Sequence, residues 1–234
     1  MAKNKKNATH APAPVTAAAA RASAELTELG ARFALVGGLA VSAWGEPRYT
    51  RDVDLAVAVE RDDEAERLVH ELSSRGYEIV TIIEQTTTRR LATARLRRAA
   101  DRAVFIDLLF ASSGIERELA AAAVVIDDIP VGRVGHLLAL KVLSESEKRL
   151  QDRIDIQELA KVATQEDWLT AEVMVRLIKE RGFHRGRALV TRLRRCVRDM
   201  PARGYARRIV VGASRRAGHL RRRGAMGRSA VERR

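Results

Sequence analysis

The stretch 33-FALVGGLAVSAWGEPRYTRDVDLAVAV-59 decides how the chain is read, because two features in it are out of place in an ordinary core segment. Phe33–Val36 is a strand-like apolar run that stops at a glycine pair, Gly37 and Gly38, ahead of a helical stretch over 39–44. A second strand, over 52–59, then begins with Asp52 and Asp54. Two glycines between a strand and a helix let backbone N–H groups approach a phosphate, helped by the positive helix N terminus. A plain turn accounts for the pair equally well. Side chains two apart on a strand share a face, so the two carboxylates project together, with their bases roughly 6 to 7 Å apart. Ala56 and Ala58 continue that face, while Val53, Leu55, Val57 and Val59 form an apolar one behind it. Like charges this close repel unless a cation lies between them, and the hard divalent Mg²⁺ is a usual partner. The competing reading is a strand start whose acids meet solvent or the nearby Arg48 and Arg51. The connection 45-GEPRYTR-51 is short, and Pro47 fixes its own φ and biases Glu46 toward extended geometry.

Strand patterns recur over 77–83, 89–96 and 104–110, and the last, VFIDLLF, holds Asp107 among apolar residues. A buried carboxylate without a partner costs on the order of several kcal/mol or becomes neutral, so Asp107 needs either a shared metal ion or a buried arginine. Helical patterns occupy 19–29 and 62–75, each stopped by a glycine, and Pro130 marks 124–134 as an edge strand or hairpin. Three further helices are expected over 135–150, 152–163 and 169–181. The expected fold is therefore α/β (α+β). A flexible leader over 1–21 precedes a small mixed sheet with flanking helices over 22–134, a helical region over 135–182, and a basic, disordered tail over 183–234.

The 234-residue chain carries a net charge of +13, and its distribution is uneven. From Arg185 to the end there are 17 arginines, no lysine, and only Asp199 and Glu232, a local balance of +15 that leaves the remainder at −2. An arginine-rich end suits a polyanion such as RNA, since each neutralised phosphate releases counterions; a solvated extension is the plainer reading. No run reaches the roughly 20 apolar residues of a membrane span, and the first residues lack a secretory apolar stretch, so a cytoplasmic location is expected. The single Cys196 excludes an intrachain disulfide and a cysteine-rich zinc site. Lys141 interrupts the apolar run LLALKVL, where an ammonium must reach either a polar cleft or the surface. Arg149, Asp152 and Asp155 follow at three-residue spacing, consistent with ordinary ion pairs along one helix.

The residues LVGGLAVSAWGEPRYTRDVDLAV resemble the first motif of the DNA polymerase β-like nucleotidyltransferase superfamily, a glycine turn followed by Asp-x-Asp. The form G-x-P-R-x-T-x-D-V-D-L, with Lys141 in the helix after Ile129-Pro130 and then Arg149-x-x-Asp152-x-x-Asp155-Ile156, resembles the AbiEii/AbiGii toxin family with its MenT-like members. The likeness covers about residues 25–180. It implies Mg²⁺-dependent transfer of a nucleotide from an NTP to a hydroxyl acceptor, a tRNA 3′ end in the MenT-like members, and a cognate antitoxin as partner. It assigns Asp52, Asp54 and Asp107 to catalysis and metal binding, Lys141 to catalysis, and Gly37, Gly38, Arg51, Lys141 and Asp155 to the nucleotide. Asp155 raises a difficulty, since 14 residues of straight helix would set it about 21 Å from Lys141 with no Gly or Pro between. Either the helix bends near Leu150 or Asp155 acts on the architecture alone. Two other functions fit the same residues: an antibiotic-modifying nucleotidyltransferase, and a non-catalytic RNA-binding or toxin-neutralising module.

Overall fold

The structure, a computed structural model, describes residues 14–198. Its elements run α1 (Pro14–Glu28), β1 (Phe33–Val36), α2 (Gly37–Trp44), β2 (Asp52–Val57), α3 (Asp62–Ser74), β3 (Tyr77–Glu84), β4 (Leu91–Arg98), β5 (Asp101–Leu109), α4 (Glu116–Ala122), β6 (Val124–Ile126), β7 (Ile129–Val131), α5 (Val134–Ser144), α6 (Leu150–Val162), α7 (Gln165–Glu180) and α8 (Leu189–Arg198). The seven strands form one mixed sheet in the order β3-β4-β5-β2-β1-β7-β6. The expected α/β (α+β) class is thus observed. β1 lies between β2 and β7, and all four of its residues are buried, which is why FALV is apolar throughout instead of alternating. β2 runs antiparallel to β1 and parallel to β5.

Several boundaries differ from the sequence reading for identifiable reasons. The leader does not extend to residue 21: α1 begins at Pro14, a residue suited to a first helical turn, and buries Ala18, Ala19, Ala22 and Leu26. Residues 1–13 lie outside the described residues. The 124–134 segment is a hairpin, turned by Asp127 and Asp128 with φ of 48° and 62°, the left-handed pair that a two-residue turn requires. α4 carries no element in the sequence reading, because ERELAAA is too short to show a helical period. The basic region after residue 182 is in part structural: Leu189 and Leu193 of α8 are buried, and α8 packs on α5 and α7. The rest of that region, 199–234, lies outside the described residues. Among the described residues no helix is long and apolar enough to cross a membrane.

The expected helix over 135–150 stops at Ser144, and Glu145 is extended at φ −54°, ψ 129°. No Gly or Pro breaks it. Instead Arg187 donates to the Leu143 and Glu145 carbonyl oxygens, and Arg192 donates to Glu145 O at 2.7 Å and to its carboxylate at 3.0 Å. Guanidinium groups satisfy the last carbonyls of α5 as further helical turns would, and their charge suits the negative helix end. α6 then starts afresh and folds back against α5.

α5 also lies close against α7, whose N terminus is fixed by a capping box in which Thr164 and Asp167 exchange hydrogen bonds. Asp167 accepts a further bond from the Gly135 N–H at 3.2 Å. A Cβ on Gly135 would stand 2.5 Å from the Asp167 backbone oxygen and 2.8 Å from Thr170 Cβ. Gly135→Ala should therefore push α5 off α7 and cost about 1–3 kcal/mol of stability, measured as a shifted urea midpoint with an unchanged slope.

Candidate active site

The sheet register lines up the chemistry-bearing residues. Asp54 of β2 pairs with Asp107 of β5, Asp107 pairs with Arg95 of β4, and Val36, the last residue of β1, pairs with Asp54 on the other side. Laterally paired residues in a sheet project from the same face, so Arg95, Asp107 and Asp54 form a row that ends at the Gly37 turn. Asp52 sits two residues along on that face, opposite Phe105. The alternate residues Val53, Leu55, Ile106 and Leu108 point into the core. α1, packed on β5, helps cover the other side.

Each member of the row has a different electrostatic environment. Asp107 is almost fully buried and takes a two-point contact from Arg95, Nε to Oδ1 at 2.7 Å and Nη2 to Oδ2 at 2.6 Å. The same Nη2 lies 3.8 Å from Asp52, whose carboxylate is open to solvent, and the guanidinium rests over the Phe105 ring at 5.1 Å. The hydrogen bonds from Arg95 to Asp107 raise the arginine's pKa further. Asp54 has no such partner: among the described residues nothing donates a hydrogen bond to its carboxylate. Loss of surrounding water, reinforced by the Asp107 charge and only partly offset by Lys141, lifts its pKa to about 6. The carboxylate lies directly over Gly37, whose φ is +67° and whose missing Cβ would overlap the Asp54 side chain. Glycine is demanded there twice, by the backbone and by the acid.

A second cluster faces the first from the helical region. Because the chain breaks after α5, Lys141 Nζ reaches Asp155 Oδ2 at 2.7 Å and Asp152 Oδ1 at 3.3 Å. The 21 Å separation of a straight helix does not arise, and Asp155 does meet Lys141. Asp155 is fully buried and also takes hydrogen bonds from Arg48 Nη2 at 3.0 Å and Gln151 Nε2 at 3.1 Å. Burial alone would raise its pKa, but Lys141, Gln151 and Arg48 together hold it below the usual carboxylate range. Arg149 pairs with Asp152 at 2.8 Å, as its spacing suggested. Lys141 is buried, so its ammonium does not reach the surface and is met instead by two buried acids.

Two arginines that the sequence reading left out of the site stand in it. Arg48 lies against Gly38, where a Cβ would overlap its guanidinium, and bridges that turn to Asp155. Arg51, the arginine chosen for the nucleotide, is exposed and turns to Tyr49, donating from Nε to the phenol oxygen at 2.9 Å. Arg95 had a legible signal, since Arg95 and Arg97 alternate with Ala94 and Leu96 in LATARLRR and so occupy one face of β4. For Asp107, the arginine alternative is the contact present. The donor set nevertheless fits a hard cation: Asp54 is a carboxylate stripped of hydrogen-bond donors, with the oxygen donors of Asp52 beside it. As the side chains stand, no group of three acids, histidines or cysteines among the described residues is placed to enclose a metal ion.

A family model described as "Nucleotidyl transferase AbiEii toxin, Type IV TA system" matches residues 21–209. The chain belongs to the AbiEii family. It is accordingly a nucleotidyltransferase, and its family is one of toxin–antitoxin systems. Solved structures similar to this AbiEii protein include an antigenic nucleotidyltransferase-like protein from Paracoccidioides brasiliensis. That pair shares 18% identity over 76% of this chain and 91% of the other, with a TM-score of 0.46. The antibiotic-resistance factor ANT(2'')-Ia shares 16% identity over 71% of this chain and 92% of its own, with a TM-score of 0.44. JHP933 from Helicobacter pylori shares 12% identity over 86% and 96%, with a TM-score of 0.39. No curated protein matches the sequence.

The environment of Asp54 in this AbiEii protein fixes the sign of a pH effect. Its folded-state pKa of about 6 exceeds the ordinary 3.8, so the folded chain holds that proton more tightly than the unfolded one. Stability linked to Asp54 is full below pH 3.8 and is lost as pH rises through 6, by up to about 3 kcal/mol. With divalent cations chelated, Asp54→Asn should melt above the parent protein at pH 7.5, and the gain should vanish by pH 4. Equal melting temperatures at pH 7.5 would show that the carboxylate is not strained.

Proposed function

We propose that the protein transfers a nucleotide from an NTP to a hydroxyl acceptor at the 3′ end of tRNA, with Mg²⁺ as cofactor and release of pyrophosphate. The observation that carries this reading is the alignment of Asp54 with Asp107, with Asp52 alongside, at the edge of a glycine turn that opens a helix. Asp52 and Asp54 would hold the metal and Asp107 would complete the set. Bound there, the cation would neutralise triphosphate charge and make the acceptor hydroxyl a better nucleophile.

The protein's own groups have distinct tasks in this scheme. The missing side chains of Gly37 and Gly38 let the Asp54 carboxylate and the Arg48 guanidinium lie against the turn, beside the first N–H groups of α2 where a triphosphate would bind. Arg48 and Lys141 bring two positive charges to the same turn. Asp155 holds both in place, so their orientation is set before substrate arrives. Lys141 uses two of its three N–H donors on Asp152 and Asp155, which leaves one for a phosphate oxygen of the departing pyrophosphate. Asp107 shares the row with Asp54, and once free of Arg95 its carboxylate would be placed to orient the incoming hydroxyl. The +15 balance after residue 184 supports an RNA acceptor, and membership in a toxin–antitoxin family supports an antitoxin as partner.

Incubation of the full chain with α-³²P-labelled NTPs, total tRNA and Mg²⁺ should put label on RNA, and Asp54→Ala should lower it at least 100-fold. Absence of Mg²⁺-dependent label, or label undiminished by Asp54→Ala, overturns the reading.

A further inference from the structure

The carboxylate row already contains a cation of its own. Arg95 makes a two-point contact with Asp107, approaches Asp52 to 3.8 Å, and contributes to the field at Asp54. It therefore touches or faces all three acids to which metal binding falls in the proposed function, from a strand outside the recognised motif. Arg95 stands at the solvent-facing side of the row. About a third of its side chain is exposed, and its guanidinium rests on the face of Phe105, a surface along which it can slide without breaking a directional bond. Arg97 on the same face pairs outward with Glu78 at 2.8 Å, so Glu78 is engaged and does not draw Arg95 away from the row.

We propose that Arg95 is a resident counter-ion of the carboxylate row, which a divalent cation must displace from Asp107, so that this arginine sets the cation affinity of the site. The inference rests on the metal-binding reading of Asp52, Asp54 and Asp107. Its physical basis is competition between two cations for one set of oxygens. Asp107 offers both oxygens to Arg95, and neither can serve a metal ion fully while that contact persists. Removal of the guanidinium leaves Asp107 buried and uncompensated beside Asp54, which weakens the metal-free fold and strengthens the attraction for any ion that enters. Arg95 is thus a positioning residue for Asp107, and it also limits when the site is loaded. A lysine in its place would keep the charge but lose the planar two-point grip, which places Arg95→Lys between the parent and a neutral variant.

The test is Mn²⁺ binding to the full chain without nucleotide, followed by loss of the free-ion EPR signal, with thermal melts in parallel. Arg95→Met should melt below the parent protein without cation, bind Mn²⁺ at least tenfold more tightly, and gain a larger rise in melting temperature from it. Arg95→Lys, which keeps the charge and hence the fold, should lie between. Mn²⁺ binding by the parent that is equal or weaker in both variants overturns the role of Arg95 and leaves the metal-binding reading standing. No binding by the parent or either variant overturns both. Binding by Arg95→Met alone supports the displacement in its strongest form.

Discussion

Three carboxylates crowded on two adjacent strands are the constraint to which much of the structure responds. At a separation of about 4 Å and an effective dielectric constant near 20, a pair of like charges costs about 4 kcal/mol, a large share of what holds a domain together. The chain answers acid by acid. Asp107 is neutralised by Arg95, while Asp52 turns toward water. Asp54 is the exception, left with its charge opposed by burial and by Asp107. An acid whose charge is opposed in this way, beside a second acid, is a candidate for a functional role.

One buried acid ties the helical region to the loop before β2. Asp155 belongs to α6, yet its partners come from α5, from its own helix and from the loop before β2. Arg48 spans the distance, lying on Gly38 at one end and bonding Asp155 at the other. The glycine turn and the helical region are held in register by side chains that also supply positive charge near the turn. Positioning and electrostatics are therefore properties of the same few bonds.

Much of this was legible from the order of residues. Strand alternation put Asp52 and Asp54 on one face, the apolar setting of Asp107 required a partner, and the apolar run around Lys141 required its ammonium to find polar company. What stayed hidden were the partners, because pairing between strands distant in sequence is set by sheet order, which local pattern does not encode. Arg95 and Arg97 showed as a charged face of β4, but nothing in LATARLRR says that β4 lies beside β5. The start of α1 was missed because an alanine-rich segment gives little amphipathic contrast, and α4 because it is two turns long. The break after α5 lacked a Gly or Pro signal, since its cause is a pair of arginines more than 40 residues downstream.

That last arrangement has a temporal side. Ribosomal synthesis proceeds from the N terminus, so β2 and β5, with their acids, leave the exit tunnel well before Arg187 and Arg192 are added. Until then the carbonyls of Leu143 and Glu145 lack the guanidinium groups that end α5, and the turn that brings Asp155 to Lys141 is unclasped. A nascent chain therefore carries its acidic row before it carries the means to complete it, and the finished arrangement waits for Arg187 and Arg192.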